Sequence, residues 1–278
     1  MPDRHVPETV AANVAAALAE DVGGGDCTAS LIAADAVLET RVICRELAVL
    51  AGQPWFDETF KQLEPAVQVS WQTRDGERIN AGQEVCRVQG PARSILTGER
   101  TALNFLQTLS GTASRARQFV DAVAGTGAIV LDTRKTLPGL RLAQKYAVRC
   151  GGASNHRTGL FDAILIKENH ISASGSISEA VQRARQDFPK LLLEVEVETL
   201  AQLEEAVAAG AQRALLDNFD LDLLRQAVAR YKGRIGLEAS GGIDLQTVHE
   251  IAATGVDYIS TGDITKSVRA TDFSMRFI

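Results

Sequence analysis

The chain has 278 residues, 45% of them hydrophobic and 23% charged, with 23 glycines and only 7 prolines; this is globular composition, which excludes disordered, collagenous and low-complexity chains, and at ~100–200 residues per domain the length allows one large domain or two modest ones. A net charge of −6 argues against non-specific nucleic-acid binding. No run approaches the ~18 apolar residues of a membrane span, so no membrane partner is expected.

The first helical pattern covers residues 8–20. It is alanine-rich, interrupted by Asn13 and flanked by Glu8 and Glu20, whereas a signal peptide has basic flanks and a longer apolar run. The turn Gly23-Gly24-Gly25 follows, and then strand-like segments at 39–44, 48–51 and 67–72. Residues 75–90 read as short strands joined by glycine-bearing turns, a pattern similar to half of a lipoyl or biotinyl hairpin. Covalent attachment needs a lysine at the turn, and none occurs between Lys61 and Lys135, so the segment reads as a structural β-rich module. From 97 to 123 the pattern is helical, with Leu103, Leu106 and Leu109 on one face and Gly111 near an expected break; this helix is expected to bridge two domains. Cys27, Cys44, Cys86 and Cys150 lack the close spacing of a zinc or redox motif, and reduced thiols in a cytoplasm are expected.

After Gly127 the chain settles into apolar strand, polar tip and helix. Strands are expected at 129–131, 163–166, 191–197, 214–216, 235–238 and 258–260, and successive starts from Ala163 fall 28, 23, 21 and 23 residues apart. Near-continuous apolar strands alternating with helices specify a parallel sheet. The segment is short of the ~200 residues of an eight-fold barrel, so the fold class is α/β, with an open, incomplete parallel barrel of six to seven strands; a doubly wound sheet is the alternative, without its G-x-G-x-x-G turn.

Every one of these strands ends in ionisable or phosphate-friendly residues: Asp132-Thr133-Arg134-Lys135, Lys167 to His170, Glu194 to Glu198, Asp217-Asn218, Glu238 to Gly242, and Ser260 to Asp263. In barrel enzymes such ends build one shared site. From Arg134 to Lys167 seven cations face Asp162 alone, +6 against −12 for the rest of the chain, which points to a small anionic ligand; Arg141, Lys145 and Arg149 read equally as a solvated helix face. Glu194, Glu196 and Glu198 share a strand face and need cations or a metal. Glu196 and Asp217, on adjacent strands, offer the oxygen ligands that Mg²⁺ takes while keeping waters and a phosphate-bearing substrate. Ser240-Gly241-Gly242 and Thr261-Gly262-Asp263 each follow a late strand and lead into a helix, where backbone N–H groups can meet a phosphate. His156 and Arg157, in a glycine-rich loop, add planar donors suited to a carboxylate. No motif of an activated serine or cysteine nucleophile, and no zinc motif, is present.

The segments Leu131-Asp-Thr-Arg-Lys-Thr-Leu-Pro-Gly-Leu140, Lys145 to Gly152, Asn155-His-Arg-Thr-Gly-Leu-Phe-Asp162, Leu165-Ile-Lys-Glu-Asn-His170 and Leu216-Asp-Asn-Phe219, with Glu99 to Asn104 and Asp272 to Phe277, resemble the quinolinate phosphoribosyltransferases, the type II phosphoribosyltransferases also called nicotinate-nucleotide pyrophosphorylases. The resemblance implies an N-terminal α/β sandwich over residues 1–112, with the tail 267–278 packing back on it, and a barrel over 113–266. It implies transfer of the phosphoribosyl group of phosphoribosyl pyrophosphate to quinolinate with decarboxylation, giving nicotinate mononucleotide, pyrophosphate and CO₂ in NAD biosynthesis, with Mg²⁺ as cofactor. By the same resemblance Arg100, Thr133, Arg134, Lys135, His156, Arg157 and Lys167 bind the two substrates, Arg100 reaching in from the partner of a homodimer. Lys135, Lys167, Glu196 and Asp217 carry the catalysis, Glu196 and Asp217 facing the ribose and Mg²⁺, directly or through water, and Ser240 to Gly242 with Thr261 to Asp263 hold the 5′-phosphate. Asp263 is a departure, since a small apolar residue is usual there and a carboxylate repels phosphate. The alternatives are a paralogue acting on another aromatic acid, a Schiff-base lyase using Lys167, and a non-catalytic phosphate-binding or metabolic-sensor protein.

Overall fold

The computed structural model describes residues 5–278. Helix α1 (Val10–Val22) leads to β1 (Val37–Cys44), β2 (Ala48–Val49), α2 (Gln53–Leu63), β3 (Gln68–Trp71), β4 (Arg78–Ile79), β5 (Glu84–Pro91) and the long α3 (Ala92–Ala122). There follow β6 (Ile129–Leu131), α4 (Arg141–Cys150), β7 (Ala163–Ile166), α5 (Glu168–Ser174), α6 (Ile177–Asp187), β8 (Leu192–Val197), α7 (Leu200–Ala209) and β9 (Arg213–Asp217). The chain ends through α8 (Leu221–Tyr231), β10 (Gly236–Ser240), α9 (Val248–Ala253), β11 (Tyr258–Ser260), α10 (Asp263–Lys266) and β12 (Phe273–Phe277).

Two compact units emerge. The first comprises the described chain up to Arg117 with Thr136–Gly152 and Ile264–Ile278; the second comprises Gln118–Lys135 and Ala153–Asp263. The first unit is built on an antiparallel sheet in the order β12-β1-β5-β3, in which the C-terminal strand pairs with β1 from Thr40 opposite Phe277 to Cys44 opposite Phe273. Val42, Phe56, Phe60, Val85, Val88, Leu103 and Leu106 fill the core of that sheet. A second cluster gathers Val14, Trp55, Leu109, Tyr146 and Ala147 from four helices, and the Trp55 and Tyr146 rings lie 5.5 Å apart.

Two expectations fail within this unit. Helix α3 runs unbroken through Gly111, and the glycine is there for a close approach: a Cβ would lie 2.1 Å from the carbonyl oxygen of Arg269. Lys145 is not on a solvated face. It is 1% exposed, because α4 buries Ala143, Gln144, Tyr146, Ala147, Val148 and Cys150 as well, whereas Arg141 and Arg149 stay partly accessible.

The second unit is the expected open parallel sheet of six strands, in the order β6-β11-β10-β9-β8-β7. Each neighbouring pair is parallel, which aligns the carboxyl ends of all six strands along one edge. The interior is apolar, as the sequence runs require: Val130, Leu131, Ile166, Leu193, Val195, Ala214, Leu216, Leu237, Ala239 and Ile259 are buried. Three helices of this unit, α6, α7 and α8, are started by side chains that cap free backbone N–H groups: Ser176 accepts from Glu179, Thr199 from Gln202, and Asp220 from Leu223. Among the described residues no helix is long and apolar enough to cross a membrane, and all four cysteines are free thiols.

Candidate active site

The carboxyl-end residues of the parallel sheet hold one another in place. Asp132, just past β6 and fully buried, accepts hydrogen bonds from the Asn155 side chain and from the His156 backbone N–H, each at 2.8 Å. The loop that carries Arg157 is thereby tied to the loop that carries Arg134 and Lys135. The Thr133 hydroxyl accepts the Lys135 backbone N–H at 3.1 Å. Across from them lies Gly262, where a Cβ would come within 3.0 Å of the Lys135 side chain and 3.5 Å of Thr133 Oγ1. A side chain there would crowd both, so glycine leaves the backbone open toward these polar groups.

Arg157 is depressed below the usual guanidinium range, first by burial and next by the charge of Arg134. Two like charges held close and partly withdrawn from water form a site that an anion relieves.

Lys167 follows β7 and is ion-paired with Glu196 of β8. Its backbone N–H is accepted by His170 Nδ1 at 3.0 Å, which fixes the turn into α5. Asp217 ends β9, and its carboxyl is raised by burial and then by the charge of Glu196, against the opposite pull of Lys167, the Asn218 side chain and Lys135. Lys135, Lys167 and Glu196 thus lie near enough to Asp217 for their charges to act on it. Asn218 is the one described non-glycine residue with a positive φ, 55°. Its backbone N–H is bonded to Ser240 O and its side chain to Asp217, and a Cβ on Gly241 would stand 2.2 Å from its Oδ1. The loops after β9 and β10 are thus closely packed, while Gly242 faces open space. Thr261 directs its hydroxyl to the Ile243 carbonyl, and its oxygen accepts the Asp263 N–H.

Glu194, Glu196 and Glu198 separate by depth. Glu198 lies past the strand end and is exposed, Glu196 is partly buried, and Glu194 is 1% exposed. Beneath the rim, His156 Nε2 lies 2.9 Å from Glu194 and 3.4 Å from Glu238; Glu238 is in turn paired with Arg213 at 3.1 Å, whose guanidinium stacks on Tyr258. The other ring nitrogen, Nδ1, accepts the Arg157 backbone N–H at 2.8 Å. Burial opposes charge on the ring, the two carboxylates favour it, and the balance raises its pKa to about 9; the Arg157 N–H, which only the neutral ring accepts, pulls the other way. The His156, Glu194 and Glu238 ligand atoms all lie within 4.8 Å of one another, and a metal there would have to displace the Nε2 proton and compete with Arg213.

Arg213 went unrecognised from sequence, and the buried pairing of Glu194 and Glu238 was equally invisible. Their one signal is a lone charge amid apolar strand residues, Arg213 before Ala-Leu-Leu and Glu238 between Leu237 and Ala239. Arg100 belongs to the first unit and is exposed on α3.

The family model for the quinolinate phosphoribosyl transferase N-terminal domain matches residues 26–110, and that for the C-terminal domain matches residues 112–276. A probable nicotinate-nucleotide pyrophosphorylase [carboxylating] of Bacillus subtilis is 42% identical over 92% of this chain and 89% of its own. A tobacco quinolinate phosphoribosyltransferase [decarboxylating] is 39% identical over 94% of this chain and 80% of its own. The solved nicotinate-nucleotide pyrophosphorylase of Francisella tularensis superposes with a TM-score of 0.95 at 44% identity, covering 99% of this chain and 98% of its own. Carrying both domains in order, with the cationic loops and the paired carboxylates at the open end of its parallel sheet, the chain belongs to the quinolinate phosphoribosyl transferase family.

Proposed function

We infer that the chain transfers the phosphoribosyl group of phosphoribosyl pyrophosphate to quinolinate with loss of CO₂, yielding nicotinate mononucleotide and pyrophosphate in NAD biosynthesis. The observation that carries this reading is the tying of the Arg157 loop to the Arg134 loop through Asp132 beside the Lys167–Glu196 pair and Asp217. One end of the site gathers the cations Arg134 and Arg157, and the other holds two carboxylates on adjacent strands. A dicarboxylate fits the first; a sugar whose C1 becomes cation-like as its leaving group departs fits the second.

Within that reading Arg134, Arg157, Lys135 and Lys167 share the two quinolinate carboxylates, with Lys135 and Thr133 also facing the phosphates across Gly262. Gly241, Gly242 and Gly262 offer backbone N–H groups to the 5′-phosphate, with Ser240, Thr261 and Asp263 shaping the two loops around them. The Thr261 hydroxyl is engaged by the fold, so its contribution is the loop conformation. Glu196 and Asp217 stabilise the developing positive charge at C1. Their fit to Mg²⁺ rests on the donor set: two carboxylates on adjacent strands, Asp217 raised first by burial and then by the charge of Glu196, are oxygen ligands that a divalent cation reconciles. When bound there, the ion supplies charge neutralisation to the pyrophosphate leaving group. The protein's own work is positioning: it aligns the pyridine nitrogen with C1, and the N-alkylated ring then accepts the electrons released as the 2-carboxylate leaves.

We assign the enzyme to a homodimer in which Arg100 of one chain serves the other's site. Arg100 is exposed on its helix, and the loop after Arg157 exposes Leu160 and Phe161, 74% and 75% accessible, an apolar edge that a partner would cover. Mixing Arg100→Ala and Lys135→Ala chains tests this, because half the dimers become mixed and regain one intact site, restoring roughly a quarter of all sites. If exchange is demonstrated and the mixture stays as inactive as its parents, Arg100 does not act across an interface. A cytoplasmic location is part of the same proposal, supported by the free thiols. Titration calorimetry with quinolinate and with nicotinate tests the substrate: the dianion binds more tightly by at least tenfold, and equal binding of the two acids would remove the dicarboxylate assignment.

A further inference from the structure

His156 is held on every side by protein. Its backbone N–H is given to Asp132, its Nε2 lies between Glu194 and Glu238, and its Nδ1 meets the backbone N–H of Arg157. Its side chain is only 9% exposed, and those of Glu194 and Glu238 are 1% and 0% exposed. Carboxylates are not buried in a sheet interior without a partner to satisfy them, and Glu238 has Arg213 from the neighbouring strand as well. The ring therefore sits on a built pedestal of three strands, β8, β9 and β10, with Nε2 turned into the sheet. Nε2 faces the two pedestal carboxylates in either charge state, whereas the contact of Nδ1 with the Arg157 N–H belongs to the neutral ring.

We propose that Glu194 and Glu238 are positioning residues that grip His156 from inside the sheet, and that His156 serves the anion pocket by fixing Arg157 in place rather than by giving a ring nitrogen to the ligand. This rests on the reading of Arg157 as a quinolinate contact. The physical reason is placement: a guanidinium clamp on a carboxylate loses much of its grip when displaced by an ångström, and Arg157, repelled by Arg134, needs a rigid base to stay where the ligand requires it. A residue acting through another shows itself in non-additivity, since removing the positioner costs nothing further once the positioned group is gone.

The test is a double-variant cycle on the full chain, read as KM for quinolinate, KM for phosphoribosyl pyrophosphate and kcat. His156→Gln and Glu238→Gln are each expected to raise the quinolinate KM about tenfold with the donor KM within about twofold, and either change added to Arg157→Ala is expected to leave the Arg157→Ala KM unaltered. Multiplying effects would make His156 a ligand contact in its own right and overturn the proposal; so would equal losses for both substrates, which mark a general structural role. A second measurement needs no turnover. In the ¹⁵N-histidine-labelled chain, the His156 resonances, assigned by their loss in His156→Gln, should show an Nε2–H bonded to carboxylate in the free protein and unchanged at saturating quinolinate. An Nε2–H lacking that bond in the free protein, or one displaced by quinolinate, contradicts the proposal. If wild-type chain fails to bind quinolinate at all, the substrate reading falls, while the free-protein spectrum still decides whether the pedestal holds the ring.

Discussion

The Lys167 ammonium, at the end of β7, is ion-paired with Glu196 of the adjacent strand β8. An amine held by a carboxylate in this way is not presented to a carbonyl, and nothing in the site favours the Schiff-base alternative. The pair also links the two halves of the pocket, because the residue meant for a substrate carboxylate is held by a residue meant for the sugar. Glu196→Gln should therefore release Lys167. Quinolinate is expected to bind the variant at least as tightly as wild type in the absence of donor, while turnover falls about 10²-fold with the loss of a charge aimed at the transition state. Weaker quinolinate binding with unchanged turnover would show that the pair is structural.

Lys135→Ala and Arg157→Ala should each weaken quinolinate binding by roughly 2–5 kcal/mol, the cost of leaving a desolvated carboxylate without its charged partner. Both side chains stand at the sheet rim rather than in its core, so melting temperatures should stay close to wild type. Calorimetry showing wild-type affinity for either variant would take that residue out of the dicarboxylate pocket.

Asp217→Asn should act selectively. The charges that register on Asp217 are Glu196, Lys167 and Lys135, and the proposed partners are the sugar and Mg²⁺, so turnover should fall more than quinolinate affinity and the Mg²⁺ requirement should rise. Steady-state rates across a Mg²⁺ series check this. A variant with wild-type turnover and wild-type Mg²⁺ dependence would return Asp217 to a structural role.

Gly111→Ala tests the packing of the first unit. The added methyl meets the Arg269 carbonyl oxygen, an overpacking that costs ~1–3 kcal/mol and should lower the melting temperature by several degrees. An unchanged melting temperature would mean that the segment around Arg269 yields without cost.

The parallel sheet was legible because its strands are continuous apolar runs with charged tips, and the six runs at 129–131, 163–166, 191–197, 214–216, 235–238 and 258–260 correspond to β6 to β11. Helix α2 was not, although Gly52 and Pro54 mark its start; a short element behind a glycine and a proline reads as a turn when its partners are unknown. Gly111 looked like a break because glycine weakens an isolated helix, whereas here tertiary contact decides. Lys145 looked exposed because charge on a helix usually is, and only the helices packed around α4 reveal otherwise. Within the site, residues at strand tips could be named from sequence because alternation and position expose them. The pedestal under His156 could not, since the pairing of Glu194, Glu238 and Arg213 depends on which strands lie side by side and in what register, which no local pattern encodes.

The proposed reaction is decided by its stoichiometry, measured on the purified chain supplied with quinolinate, phosphoribosyl pyrophosphate and Mg²⁺. CO₂ from the 2-carboxylate of labelled quinolinate is expected in equal amounts with pyrophosphate and nicotinate mononucleotide, with no product when either substrate or Mg²⁺ is omitted. Pyrophosphate release without CO₂, or turnover of nicotinate at the rate of quinolinate, would contradict it.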